Sequence, residues 1–218
     1  MRKLFGTILL LFGMTIGTYY FMEWKTGRSA AEEITNTEIM RINEDDKRLP
    51  KELPYLDIQT PSTDIPHKLG EKVAHLVIPK IAQKYSVFWG ADKNVLRKGV
   101  GIYVSQWTTA PDGGGNTVLS GHRDTVFYRL DELKENEILK LEYDGAIYTY
   151  KIAKIWITGP NDQTVIVKKE SPTLTITTCY PFNYVGNAPK RYIIQANLLY
   201  KQEMNVTYNE MLQKNAIE

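Results

Sequence analysis

The chain carries one cysteine and three histidines in 218 residues, and both scarcities narrow its chemistry. A single thiol excludes an internal disulfide, so in an oxidising compartment Cys179 is paired with another chain, buried and inert, or reactive. No acidic cluster has the spacing of a calcium loop, so neither a cofactor nor an obligatory metal is expected. Glycines 113 to 115 lack the Lys-Ser/Thr that follows in a phosphate loop and read as a flexible turn. Charge of one sign is also missing. The 27 basic residues are interspersed with 25 acidic ones for a net +2, which leaves no electrostatic footprint for nucleic acid. Internal repeats and low-complexity tracts are absent. Long helical periodicity is confined to the N-terminus, apart from "ADKNVLRKG" and a polar tail.

What the N-terminus does have is 19 uncharged residues from Leu4 to Met22. As a helix they reach roughly 28 Å, the hydrocarbon thickness of a bilayer. Arg2 and Lys3 precede the run, and Tyr19, Tyr20 and Trp24 gather at its far end as interfacial anchors do. The reading is an uncleaved membrane anchor over 1–24, type II, with the rest of the chain outside the cell. A cleaved signal peptide is the rival, but the run is longer than a typical signal core and Ser29-Ala30-Ala31 lies far beyond it.

Residues 25–69 are charged, proline-punctuated and poor in aromatics, the composition of a stalk, with a short helix placed around 30–46. From about residue 70 the texture changes to short runs of Val, Ile, Thr and Tyr separated by Gly, Pro, Asp and Asn. Asp144-Gly145 lies between alternating segments (Leu139/Leu141/Tyr143 and Tyr148/Tyr150/Ile152), the signature of a two-residue hairpin. Repeated short strands with turn signals predict an all-β sandwich or barrel over 70–201, followed by a polar tail at 202–218.

The chemistry concentrates at strand ends. The alternating "TLTITT" ends at Cys179, and "YPFNYVGNAPKR" follows as a loop able to wall a cleft. Arg191 opens the next strand twelve residues after the thiol, where a hairpin can set it beside the cysteine. A free thiol is only about 3% thiolate near neutral pH, so a nucleophilic role needs a base or cation nearby. His122 is the best partner, because it closes the strand "NTVLS" and precedes the charged turn Arg123-Asp124. His75 falls inside the strand "AHLVI", which points to a structural role, and His67 reads as a solvated stalk residue. Arg191 supplies a permanent cation with a planar fork of donors, suited to an oxyanion or a substrate carbonyl, or else to a surface salt bridge.

Papain-like proteases place cysteine before histidine, and caspases carry a Gln-Ala-Cys-x-Gly motif on an α/β pattern, so neither fits. L,D-transpeptidases pair histidine with a later cysteine, but in a Ser-x-Gly-Cys-x-Arg context that "TTCYPF" does not match. Thr175-Ile176-Thr177-Thr178-Cys179 resembles the Thr-Leu-x-Thr-Cys motif of the sortases, with Ile for Leu. The "SGH" context of His122 and the strand-opening Arg191 match that family too, and "GHRDTVF" with "CYPFNYVGNAPKRY" is most similar to its class D.

The resemblance implies a closed eight-stranded β-barrel with short helices behind a transmembrane helix. It implies a cysteine transpeptidase that cleaves an LPxTG-like sorting signal and transfers the protein to a cell-wall amine. Cys179 is then the nucleophile, His122 the acid and base, Arg191 the oxyanion or carbonyl donor. Ser120 and Thr178, beside the pair in the motifs, are implied to line the substrate groove. The implied partners are secreted proteins with the sorting signal, a peptidoglycan precursor or wall amine, and the membrane. Two alternatives stay open on the residues alone: an L,D-transpeptidase-like wall cross-linking enzyme and a non-catalytic, membrane-anchored binding domain.

Overall fold

The computed structural model describes residues 2–48, 59–184 and 186–204. A helix, α1 (Arg2–Arg28), leads into a short strand, β1 (Ala31–Glu33), and a second helix, α2 (Asn36–Arg48). Then follow β2 (Lys72–Ile78), β3 (Gln83–Trp89), α3 (Lys93–Lys98), β4 (Val100–Ile102) and β5 (Asn116–Ser120). The last four strands are β6 (Ile138–Tyr143), β7 (Ala146–Thr158), β8 (Thr173–Tyr180) and β9 (Lys190–Glu203).

The eight strands β2 to β9 close on themselves. Neighbours run β3-β2-β6-β7-β9-β8-β5-β4, and a parallel β3–β4 pairing seals the ring. Closure removes the free edges that an open sheet would expose to other chains. All pairings are antiparallel except β3–β4 and β5–β8. The β6–β7 turn is Asp144-Gly145, both in the left-handed region at φ 45° and 72°, as a hairpin with primed-turn geometry requires.

The barrel interior is filled by inward-facing side chains, among them Leu76, Tyr85, Leu141, Tyr150, Ile176 and Ile194, none more than 1% exposed. Burying each is worth about 1.5–3 kcal/mol of transfer free energy. Loss of water pushes the phenols of Tyr85 and Tyr150 well above their ordinary range, so both stay neutral in the core. The polar face of β8 is buried as well. Thr175 Oγ1 donates to Asn116 Oδ1 (2.8 Å), and Asn116 Nδ2 donates to the carbonyl of Val167 (2.9 Å), so the β7–β8 connection folds across the strand.

Several short stretches read as stalk or turn lie on the barrel instead. β1 pairs with β3 along the rim at Ala31↔Tyr85, and the Lys140 ammonium donates to the carbonyl of Ile42 in α2. Pro61 bridges Thr109, and Ser62 is fully buried with its hydroxyl bonded to Thr108 and Ser105. His67 is not simply solvated. Its Nε2 lies 3.2 Å from the Tyr143 hydroxyl, and its ring packs 4.8 Å from that of Trp89. Glycines 113 to 115 are close-packed rather than flexible, since a Cβ on Gly113 or Gly115 would stand 2.7 or 2.8 Å from Thr109 carbons. The polar tail expected from 202 starts inside β9, and its residues 205–218, like stalk residues 49–58, lie outside the described residues.

α1 is the one helix among the described residues long and apolar enough to cross a membrane, over Leu4–Arg28 with mean hydropathy 1.6. Its apolar side chains from Leu4 to Phe21 point outward, uncovered by the barrel. Its C-terminal part meets the domain, where Tyr20, Trp24 and Gly27 share a concavity with Leu96 of α3 and Thr125. A Cβ on Gly27 would lie 3.0 Å from Thr125 Cγ2, and the Arg28 guanidinium sits 4.2 Å over the Tyr128 ring.

Candidate active site

Cys179 lies near the end of β8, a strand whose β-branched residues (Thr173, Thr175, Ile176, Thr177, Thr178) favour extended backbone. β8 sits between β5 and β9, and the registers of both neighbours determine what surrounds the thiol. On one side Cys179 pairs directly with Arg191, the second residue of β9. Directly opposed residues project to the same face with Cβ atoms about 5 Å apart. On the other side the parallel register ends at Ser120↔Thr177, and the chain then leaves β5 through Gly121 to His122. Two residues past the same rung on each strand, His122 and Cys179 come to one cleft.

The turn that carries His122 is fixed from beneath. Phe127 N–H donates to the His122 carbonyl (3.0 Å), and the fully buried Phe127 ring packs edge-on to Tyr85. Gly121 lies so close over that ring that a Cβ would stand 2.6 Å from its carbons, so the residue before the histidine has no room for a side chain. Thr178 ties the turn to the nucleophile's strand. Its hydroxyl donates to the Gly121 carbonyl (2.8 Å) and the residue is 3% exposed.

The cleft has a volume of about 300 Å³. His122, Arg123 and Asp124 form one wall, Cys179 and Arg191 the other, and residues 186–188 of the β8–β9 loop overhang them. Cys179, His122 and Arg191 are each half-buried, accessible to a ligand yet shielded from bulk water. Arg191 Nη1 donates to the carbonyls of Ala188 (3.3 Å) and Lys190 (3.0 Å), which holds the guanidinium at the cleft rim. Chemically this is a thiol, an imidazole and a guanidinium on one small concavity, a set able to support nucleophilic attack with proton transfer and charge stabilisation.

Not every residue assigned from the sequence lies on that surface. Ser120 and Thr178 are not among the residues lining the cleft. Alternation along β8 turns Thr178 away from the face of Cys179, and its hydroxyl is already used on Gly121. His75 sits mid-strand in β2, with Nδ1 3.4 Å from Glu142 Oε2, far along the chain from the cleft-lining residues and absent from them. One cleft residue carried no sequence signal beyond its charge. Arg123 is 8% exposed and donates through Nη2 to the carbonyls of Tyr184 (2.6 Å) and Gly186 (3.0 Å).

A sortase-domain family model matches residues 76–199, more than half of the chain. This chain belongs to the sortase family. It is 46% identical over 126 residues to Sortase D of Bacillus subtilis (strain 168), a match covering 57% of this chain and 63% of that relative. The chain thus spans slightly less than two thirds of that relative's length. Among solved structures it is similar to the catalytic domain of B. anthracis SrtD, at 61% identity and TM-score 0.57, over 64% of this chain and 95% of that one. It is also similar to a Clostridium perfringens Sortase D5 transpeptidase, at 27% identity and TM-score 0.54, over 72% of this chain and 88% of that one. All three of these relatives are D-type sortases.

Proposed function

We propose that the chain cleaves an LPxTG-like sorting signal through a thioacyl-enzyme and passes the acyl group to an amine of the cell wall. The supporting observation is the meeting of Cys179, His122 and Arg191 on one cleft of a sortase-family barrel. The Cys179 thiolate attacks the carbonyl carbon of the scissile Thr–Gly-type bond. The carbonyl electron pair moves onto oxygen, and Arg191 donates hydrogen bonds to that oxyanion. As the tetrahedral species collapses, the C–N bond breaks and the His122 imidazolium protonates the departing amine. A thioester remains. An acceptor amine then attacks it, His122 takes the proton, and the C–S bond breaks to return the thiolate. Two moderate barriers replace one high one, which is the logic of covalent catalysis.

The N-terminal helix fits this role as a type II anchor, with Arg2 and Lys3 on the cytoplasmic side and the barrel outside. Its last turn touches the segment that follows His122, so the cleft lies close to where the chain leaves the helix. Confining enzyme and tethered substrate to one layer raises their effective concentration. The test is incubation of the domain with LPxTG-like peptides and candidate amines, followed by mass spectrometry. A ligated product with loss of the C-terminal fragment is the expected result. Absence of both cleavage and ligation across peptide and amine series would overturn the proposal.

A further inference from the structure

Arg123 joins the turn after β5 to the β8–β9 loop through side-chain hydrogen bonds. It follows His122 directly in the chain, yet its Nη2 reaches two carbonyls more than 60 residues away, Tyr184 at 2.6 Å and Gly186 at 3.0 Å. The guanidinium also lies 5.7 Å from the centroid of the Tyr184 ring. Both carbonyls belong to the β8–β9 loop, which lines the cleft beside Cys179 and leads into β9 just before Arg191. The remaining terminal nitrogen, Nη1, is buried and has no hydrogen-bond acceptor among the described residues. Leaving a buried charged donor unmet is costly, on the order of 1–3 kcal/mol or more.

We propose that Arg123 is a positioning residue that latches the β8–β9 loop over the His122 turn, and that an oxygen of the bound peptide chain completes its hydrogen bonding through Nη1. The inference rests on the proposed transpeptidase reading for the identity of the ligand. Two carbonyls on Nη2 hold the loop against the His122 turn, and the buried Nη1 remains as a donor for a further acceptor. A peptide carbonyl entering the cleft, with a small shift of the loop, supplies the missing acceptor. Closure is then coupled to occupancy, because the ligand has a higher affinity for the latched arrangement. Lysine cannot replace this geometry, since one ammonium on a flexible stem lacks the planar fork that spans two carbonyls and a third acceptor.

The experiment measures hydrogen exchange of the loop amides 182–188 with and without an LPxTG-like peptide, in a Cys179→Ala background so that the peptide is not consumed. It is run with Arg123 intact and as Arg123→Lys, Arg123→Gln and Arg123→Ala. Steady-state kinetics of the same Arg123 variants with Cys179 present complete it. With Arg123 intact, peptide should slow loop exchange. In the variants the empty loop should exchange faster and the peptide-induced protection should shrink. KM should rise about tenfold or more with a smaller change in kcat, as expected for losing charge-assisted hydrogen bonds that act in binding. The proposal is overturned if folded Arg123→Ala keeps normal loop exchange and kinetics, or if Arg123→Lys restores both. Loss of melting temperature alone, with normal KM and loop exchange, overturns it as well. If the wild-type enzyme processes no such peptide, the transpeptidase reading fails, while loop exchange in the empty variants still tests the latch.

Discussion

Two histidines of this barrel show how position decides chemistry. His75 lies mid-strand, where Glu142 and, beyond it, Lys84 build an ion-pair group across β2, β3 and β6. His122 lies past a strand end, on a turn that rises from a fully buried phenylalanine and opens into a cleft with a thiol and two arginines. A histidine flanked by paired strands is held by its neighbours, and the concavity that His75 lines, with Lys84 and Glu142, has neither a thiol nor a guanidinium on its walls. One at the end of a strand is supported from below and open from above. The same scaffold therefore ties one imidazole to a carboxylate and leaves the other facing a cleft beside a thiol.

The comparison is broken most severely at the thiol. Cys179→Ala should abolish acyl-enzyme formation while leaving the melting temperature nearly unchanged, because one half-buried thiol contributes little apolar volume. Next come the groups around it. His122→Ala and Arg191→Lys should each reduce turnover by on the order of 10²–10³, with circular dichroism unchanged, as for loss of a proton carrier or an oxyanion donor. Near-normal turnover in Arg191→Lys would reduce that residue to a general cation.

Away from the cleft the sign of the effect should reverse. Leu141→Ala, in the fully buried core, should cost about 2–5 kcal/mol in denaturant unfolding while the folded fraction turns over normally. The smallest effect belongs to the His75 group. Burial works to raise the Glu142 pKa, but the His75 hydrogen bond and the Lys84 ammonium outweigh it and hold the carboxyl below its ordinary range. A carboxyl depressed in the folded state contributes stability above its unfolded pKa, and that contribution is lost as pH falls through the lower folded value. Acidifying from about pH 6 to about pH 3 should therefore destabilise the wild type more than Glu142→Gln, with activity at neutral pH similar in the two. Equal acid sensitivity would remove the ion-pair group from the stability account.

The site's main axis was legible because β-sheets translate sequence into geometry through short, regular rules. A run of β-branched residues ending at Cys179, a loop of fixed length and an arginine opening the return strand already imply a cross-strand pair, and the register Cys179↔Arg191 is that pair. The Asp144-Gly145 hairpin was legible for the same reason. Arg123 was not. Its acceptors are backbone carbonyls, which have no sequence signature, and they lie in a loop whose path no periodicity describes. The hydrogen bond of Thr178 to the Gly121 carbonyl was not legible either, because its acceptor too is a backbone group on another strand's turn. The contacts of 31–33 and 61–62 with the barrel were hidden by a composition that resembles a linker. A three-residue strand and a buried serine gain their place from partners far along the chain, not from local hydrophobicity.

The central claim is that Cys179 forms the acyl bond within this cleft. The direct measurement is intact-mass analysis of the domain quenched during reaction with an LPxTG-like peptide, followed by peptide mapping. The account predicts an adduct equal to the peptide's acyl portion, located on Cys179, released by an added amine and missing from Cys179→Ala. An adduct on another residue, or ligated product formed by Cys179→Ala, would contradict it.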